Sequence, residues 1–172
     1  MTQGTLARRR AGGASQVDGP DPDSLTARAV LLASEGREIP TSAIDLAARI
    51  AKRSGAPVHV FTIARIWGTS YGFPNPGLQP SKREWDEQRH HVEKAIGRLE
   101  RKGVEADGHV VATRAGAKRI VKEAKRLGCD AIVMGADPRR HALLRNFMWG
   151  QEPYRVKRRS PIPVLLVIDK AT

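Results

Sequence analysis

The chain has 172 residues and a formal net charge of +12, from 30 basic and 18 acidic side chains. This length predicts a single domain, and an aromatic content of only 5% predicts an aliphatic core. The sequence contains no apolar run of the roughly 18 residues that a membrane-spanning helix needs, and its N-terminus lacks the apolar segment of a signal peptide. We therefore expect a cytoplasmic protein without a membrane span, whose positive charge favours contact with polyanions.

Cysteine and histidine usage argues against a disulfide or a metal centre. Cys129 is the single cysteine, which excludes an internal disulfide and a cysteine-based metal cluster. Because it directly precedes an apolar run, we expect it to be a small buried residue. His90 and His91 are adjacent and would point in different directions on a helix, where a metal pair needs a spacing of about three or four residues. We expect no metal ligands.

The first 26 residues differ in composition from the rest of the chain. They are rich in Gly, Pro, Ser and Arg, and they have no hydrophobic period, so they cannot bury enough apolar surface to offset their chain entropy. We interpret residues 1–26 as a disordered basic tail and residues 27–172 as the folded domain.

The remaining residues alternate between short apolar runs and amphipathic helical segments, a pattern typical of parallel strands joined by crossover helices. We expect strands near 28–34, 57–64, 104–113, 130–135 and 161–169. The run at 104–113 alternates enough to be a half-covered edge strand. Pro163 cannot donate to a sheet, so the last strand either starts late or lies at an edge. The fold class is therefore α/β.

The C-terminal part of the chain carries a family resemblance. An Ile-Val-Met-Gly strand end (Ile132 to Gly135), a later glycine (Gly150) and the run from Arg155 to Val167 resemble the C-terminal half of the universal stress protein family. The resemblance extends over about residues 28 to 169. It implies a doubly wound five-stranded parallel sheet in the order 3-2-1-4-5, with helices on both faces, and a homodimer formed through the last strand.

One subgroup of that family binds ATP at a glycine turn, and this chain departs from its pattern. The pattern reads Gly, two residues, Gly, nine residues, Gly, then Ser or Thr. Here Gly135 is followed by Pro138 at the second glycine position, by Gly150 after eleven further residues, and then by Gln151. Proline has no N–H to donate to a phosphate, so ATP or another adenine nucleotide is expected to bind weakly. No cofactor is certain.

The first predicted strand supplies the other half of the expected site. The family has an acidic residue, usually Asp, followed by Gly-Ser, and here the matching residues are Glu35, Gly36 and Arg37. The implied strand order places Glu35 and Gly135 opposite each other at the topological switch point. The candidate nucleotide- or anion-binding residues are Glu35, Gly36, Gly135, Arg139, Arg140, Gly150 and Gln151.

The basic segment between Arg139 and Arg159 has alternative interpretations. It holds seven Lys or Arg residues and one acid, Glu152. Arg139 and Arg140 could bind phosphates by side-chain charge in place of glycine N–H groups, or they could be surface residues. For residues 155–159 we favour the last turn of a helix, where cations suit the negative end of the dipole.

No motif of an enzyme occurs in the chain: a phosphate-binding P-loop, a dinucleotide fingerprint, a nucleophile elbow and a zinc helix are all missing from the sequence. We therefore predict no catalytic residues and no enzyme. The expected function is a module that senses or binds a nucleotide, another anionic ligand or a protein partner at the carboxyl edge of the sheet. The alternative is a basic surface that binds nucleic acid or anionic lipid without a nucleotide site.

Overall fold

The computed structural model describes residues 15–66, 69–70, 73–74, 78–138 and 151–169. Its elements, in chain order, are β1 (Gln16–Asp18), a 3₁₀ helix (Pro22–Ser24), β2 (Val30–Ser34), α1 (Thr41–Ser54), β3 (Val58–Arg65), β4 (Thr69–Ser70), β5 (Phe73–Pro74), α2 (Lys82–Arg101), β6 (Ala106–Thr113), α3 (Gly116–Arg126), β7 (Ala131–Ala136), α4 (Glu152–Arg159) and β8 (Val164–Ile168). Among these residues no helix is long and apolar enough to cross a membrane.

The main sheet has the order β1-β8-β7-β2-β3-β6, and β4 and β5 form a separate two-stranded hairpin. All pairings among β2, β3, β6, β7 and β8 are parallel. The five predicted strands therefore lie in the predicted order 3-2-1-4-5, and the half-covered strand β6 is at an edge as expected. The last strand starts late, at Val164, directly after Pro163.

The sheet has a sixth strand that the sequence analysis placed in a disordered tail. β1 pairs antiparallel with the outer edge of β8, and Val17 lies opposite Val167. Next to it, Nζ of Lys157 donates to the Asp18 carboxylate at 2.6 Å. A disordered tail over residues 1–26 is therefore wrong for residues 16–18 and 22–24, while residues 1–14 lie outside the described part of the chain. Residues 16–18 contain one apolar side chain, so they have no hydrophobic period from which a strand could be predicted. The strand is stabilised by its pairing with β8 and not by the local sequence.

The pairing of β1 with β8 removes the unpaired edge on which the predicted homodimer depends. We expected a homodimer because the apolar last strand would otherwise leave an unpaired edge, but in this structure that edge is already paired within the chain. A second copy would reach the same edge of β8 only if β1 left it. Homodimerisation through the last strand stays a prediction.

Helices cover both faces of the sheet, as the alternation of strands and helices predicts. α1 and α2 pack on one face against a cluster that includes Leu32, Val60 and Leu165. α3 and α4 pack on the other face, against a cluster that includes Phe61 and Met134. All five residues of β2 are buried, as expected for a central strand of a covered parallel sheet.

Cys129 belongs to the second cluster and is buried, as predicted. Burial raises the pKa of its thiol to about 12, so the side chain stays a neutral thiol at physiological pH. Such a cysteine behaves as a small apolar residue and not as a nucleophile.

Candidate functional site: a crevice at the carboxyl edge of β2 and β7

A crevice opens where the chain leaves β2 and β7 in opposite directions. The two strands are neighbours in the sheet, but β2 leads to α1 on one face, whereas the chain after β7 leads to α4 on the other. This divergence at the carboxyl ends of parallel strands is where doubly wound sheets hold ligands. A cavity of about 310 Å³ lies there, and both Glu35 and Gly135 line it. Glu35 and Gly135 therefore face one space, as the implied strand order predicts; that this space is a binding site stays a prediction.

Arg37 crosses this crevice and joins two carboxylates, one directly after β2 and one directly after β7. Its Nε is hydrogen-bonded to Oε1 of Glu35, and its Nη1 lies 2.7 Å from Oδ2 of Asp137. The Glu35 side chain is only 3% exposed, while that of Arg37 is 33% exposed. Burial raises the pKa of Glu35, and the positive charge of Arg37 acts in the opposite direction. A guanidinium group therefore occupies part of the space that a ligand would enter.

The turn that presents Glu35 and Arg37 is fixed by several hydrogen bonds. Oγ of Ser34 accepts from the Arg37 N–H at 3.0 Å and donates to the Arg37 carbonyl oxygen at 2.5 Å. From neighbouring elements, Nε of Arg65 donates to the Glu35 carbonyl oxygen at 2.7 Å, and Nε2 of Gln88 donates to the Gly36 carbonyl oxygen at 3.0 Å. The turn is thus anchored to both β3 and α2, so the position of Arg37 is determined by the fold.

Close packing explains why Gly36 and Gly135, the two described glycines of the predicted site, are glycines. Gly36 has φ of 104°, and a Cβ atom there would lie 2.7 Å from the Ile63 carbonyl oxygen. At Gly135, a Cβ atom would lie 2.5 Å from Cγ of Pro40, the residue that precedes α1. Only glycine allows α1 to approach β7 so closely. These two glycines therefore shape the crevice whether or not it holds a phosphate.

Carboxylates dominate the lining of the crevice. Glu35, Glu38, Asp137 and Asp169 all line the cavity, together with one guanidinium group, that of Arg37. Nζ of Lys94 lies 2.5 Å from Glu38, and Oγ of Ser42 donates to Asp169 at 2.9 Å. Carboxylates accept hydrogen bonds, so the cavity suits the hydroxyl groups of a sugar and the amino group of a base. A phosphate group inside it would meet like charge.

Of the other predicted residues that the structure describes, Gly36 and Gln151 are not among those that line this cavity. Gln151 directly precedes α4, and its side chain makes no capping hydrogen bond. Arg139, Arg140 and Gly150 lie outside the described residues. Sequence reasoning missed Asp137, Asp169 and Glu38, and it noted Arg37 only as a departure from Ser. Asp137 and Asp169 come directly after apolar strands that end at the same edge of the sheet, which is a signal that could have found them.

The described carboxylates of the crevice are not arranged as a metal site. Among the residues that the structure describes, no group of three or more His, Cys, Asp or Glu side chains is arranged to hold a metal ion. The carboxylates of the crevice are instead engaged by Arg37, Lys94 and Ser42.

The strand order defines a doubly wound α/β protein with a crevice at its topological switch point. A sequence profile of the Universal stress protein family matches residues 26–167. The chain belongs to the universal stress protein family. None of the curated protein sequences compared with this chain matches it.

Solved structures of universal stress proteins share the fold. One from Archaeoglobus fulgidus is 19% identical, with a TM-score of 0.61, and the match covers 81% of this chain and 96% of that one. The same organism's protein in complex with dAMP is 18% identical, with a TM-score of 0.59 and coverage of 81% and 95%. A universal stress protein in complex with cAMP is 20% identical, with a TM-score of 0.59 and coverage of 84% and 98%. At these identities the likeness shows the fold alone.

Proposed function

We propose that this protein is a non-catalytic cytoplasmic module that binds an adenine nucleoside or nucleotide in the crevice between β2 and β7. The observation that carries the proposal is the acceptor-rich cavity at the switch point, where the buried Glu35 and the exposed Asp137 are joined by Arg37. Structures of the same fold are described in complex with cAMP and with dAMP, which supports an adenine ligand.

The lining residues indicate separate positions for the base and for the sugar of the expected ligand. Ala33, Pro40 and Val167 give the cavity an apolar wall suited to a flat base. Asp137 and Asp169 are placed to accept hydrogen bonds from sugar hydroxyl groups. Phosphates are expected outside the acidic cavity, towards Arg139 and Arg140, which follow β7 in the sequence.

Affinity for ATP should be low. Pro138 offers no N–H group, and Gln151 stands where the ATP-binding pattern has a hydroxyl. Each missing hydrogen bond to a charged phosphate weakens binding by about 1.5–3 kcal/mol. Two such losses would take a micromolar site towards ~1 mM. Arg37 adds to this effect, because a ligand that uses Asp137 competes with its guanidinium group.

Titration calorimetry with adenosine, AMP, cAMP and ATP tests the proposal. We expect adenosine and AMP to bind, and Asp137→Asn to weaken both by about tenfold, because a ribose hydroxyl would lose a charged acceptor. Incubation with ATP should leave the nucleotide unhydrolysed. If none of the four compounds binds at millimolar concentration, the crevice is not an adenine site.

A second pair of variants separates the phosphate contacts from the base and sugar contacts. Arg139→Ala/Arg140→Ala should weaken AMP binding and leave adenosine unchanged, with the larger effect at low salt. The matched control is Arg83→Ala/Arg101→Ala, two exposed arginines of α2. Tight ATP binding that survives the first double substitution would mean that Gly135 and Gly150 form a working phosphate turn.

A further inference from the structure

The helices on the two faces of the sheet carry different charges. α3 and α4, which pack against each other, contain nine basic and two acidic residues, a net charge of +7. α1 and α2 on the opposite face also contain nine basic residues, but with six acidic ones, a net charge of +3. The difference between the faces lies in the acids, which on α1 and α2 are interspersed among the cations.

Both acids of the α3–α4 face are mostly buried, and the side chain of Glu152 is only 13% exposed. The side chain of Glu123 is 0% exposed and lies against His109, Arg119 and Arg126. Burial alone would raise the pKa of Glu123, but the hydrogen bond from Arg126 and the surrounding positive charges outweigh it and lower the pKa. Glu152 accepts from the Ala117 N–H at 2.9 Å and pairs with a basic neighbour on its own helix. The outer surface of both helices is therefore dominated by cationic and neutral side chains.

Five cations on this face have no ion-pair partner within the described residues. Three of them, Lys118, Lys122 and Lys125, follow each other by four and three residues and form one exposed stripe along α3. The other two, Arg158 and Arg159, are exposed at the end of α4. The helix dipole accounts for cations in a last turn, but it does not favour Lys118 in the first turn of α3. Helix stability therefore does not explain the stripe.

We propose that the α3–α4 face binds the phosphate backbone of double-stranded nucleic acid without reading its sequence. The stripe from Lys118 to Lys125 spans about 10 Å at the rise of an α-helix. Duplex DNA carries one charge per about 1.7 Å of its axis, so the stripe faces several phosphates at once. The site is separate from the crevice, so this proposal does not depend on the adenine ligand.

The apolar residues of the two helices favour a duplex over a membrane surface or a single strand. Helices that bind a membrane surface place large apolar side chains outward, among their cations. In α3, Ala117, Ile120 and Ala124 are buried instead, and in α4 Pro153 and Val156 are buried. No residue of either helix offers an exposed aromatic ring for stacking on an unpaired base, which single-strand binding uses. Contact with a regular phosphate backbone needs neither feature.

Fluorescence anisotropy of a labelled duplex of about 30 base pairs, titrated with the full chain between 50 and 200 mM salt, tests the proposal. Because log K falls with a slope of about −0.9 per phosphate contact, Lys118→Gln/Lys122→Gln/Lys125→Gln should reduce the magnitude of the slope by about 2 to 3. Affinity at the lowest salt should fall by at least about tenfold. Circular dichroism and thermal unfolding of the variant should match those of the wild type, since all three side chains are exposed.

A variant with the same change of net charge serves as the control. Lys52→Gln/Lys82→Gln/Arg83→Gln alters three exposed cations of α1 and α2 and should leave both slope and affinity unchanged. Equal losses in the two variants would overturn the proposal, because they would reflect net charge alone. Absence of duplex binding would overturn it as well, and so would stronger binding to anionic phospholipid vesicles than to the duplex.

Discussion

Replacement of Arg37 by methionine should destabilise the protein in a way that depends on pH. Arg37 supplies the charge that faces the buried Glu35 carboxylate, and methionine keeps much of the side-chain volume without the charge. Removing one partner of a fully buried ion pair costs about 3–5 kcal/mol. Because the Arg37 side chain is one-third exposed, solvent screens part of the interaction, and we expect a loss of about 2–3 kcal/mol in the free energy of unfolding at pH 8.

The pH dependence follows from the pKa of Glu35, which burial raises in the folded state. A carboxyl group with a raised pKa contributes most to stability below its unfolded pKa, where it is neutral, and that contribution is lost as pH rises through the folded pKa. Without Arg37 the pKa of Glu35 should rise further. The loss caused by Arg37→Met should therefore be smaller at pH 5 than at pH 8.

Urea unfolding at pH 5 and pH 8 measures both effects. Glu35→Gln/Arg37→Met should recover part of the lost stability at pH 8, since no buried charge is then left unpaired. Arg49→Met is the control, because Arg49 pairs with Asp23 at 3.6 Å with its side chain 54% exposed, and such pairs contribute at most about 1 kcal/mol. The reasoning fails if Arg37→Met costs no more than Arg49→Met, or if its cost is the same at both pH values.

Three further predictions concern packing and assembly. Gly135→Ala should lower stability by about 1–3 kcal/mol, because the new methyl group meets the rigid ring of Pro40. Gly97→Ala in α2 should raise stability by about 0.5–1 kcal/mol, because the new Cβ atom would come no closer than 3.9 Å to a neighbouring side chain. Thermal unfolding measures both variants, and a Gly135→Ala protein as stable as the wild type would contradict the first prediction. Deletion of residues 1–18 should promote self-association, because it uncovers the apolar edge of β8. Light scattering should then give a larger mass for the truncated chain than for the full one, and equal monomer masses would count against assembly through that strand.

The sequence by itself determined the five parallel strands and the helices between them. Short apolar runs such as that of β2 and amphipathic segments such as that of α2 have periods that depend only on nearby residues. The cap of α2 is local as well, because Oγ of Ser81 accepts from the Glu84 N–H at 3.1 Å. Pro163 delays the start of β8 by a local rule as well, since proline cannot donate to a sheet. The strand order followed from the family resemblance, and it placed Glu35 opposite Gly135 correctly.

Tertiary structure alone decided the features that depend on residues distant in sequence. β1 is a strand because β8 offers it an edge, more than 140 residues further along the chain. Arg37 spans the crevice because Asp137, which follows another strand, comes within 2.7 Å, and nothing local to the Glu-Gly-Arg turn specifies that partner. The same holds for the α3–α4 face, where packing buries Glu123 and leaves the lysines of α3 exposed. Local patterns fix where a helix or strand forms, but the charges and the space of a site are set by elements that only the folded chain brings together.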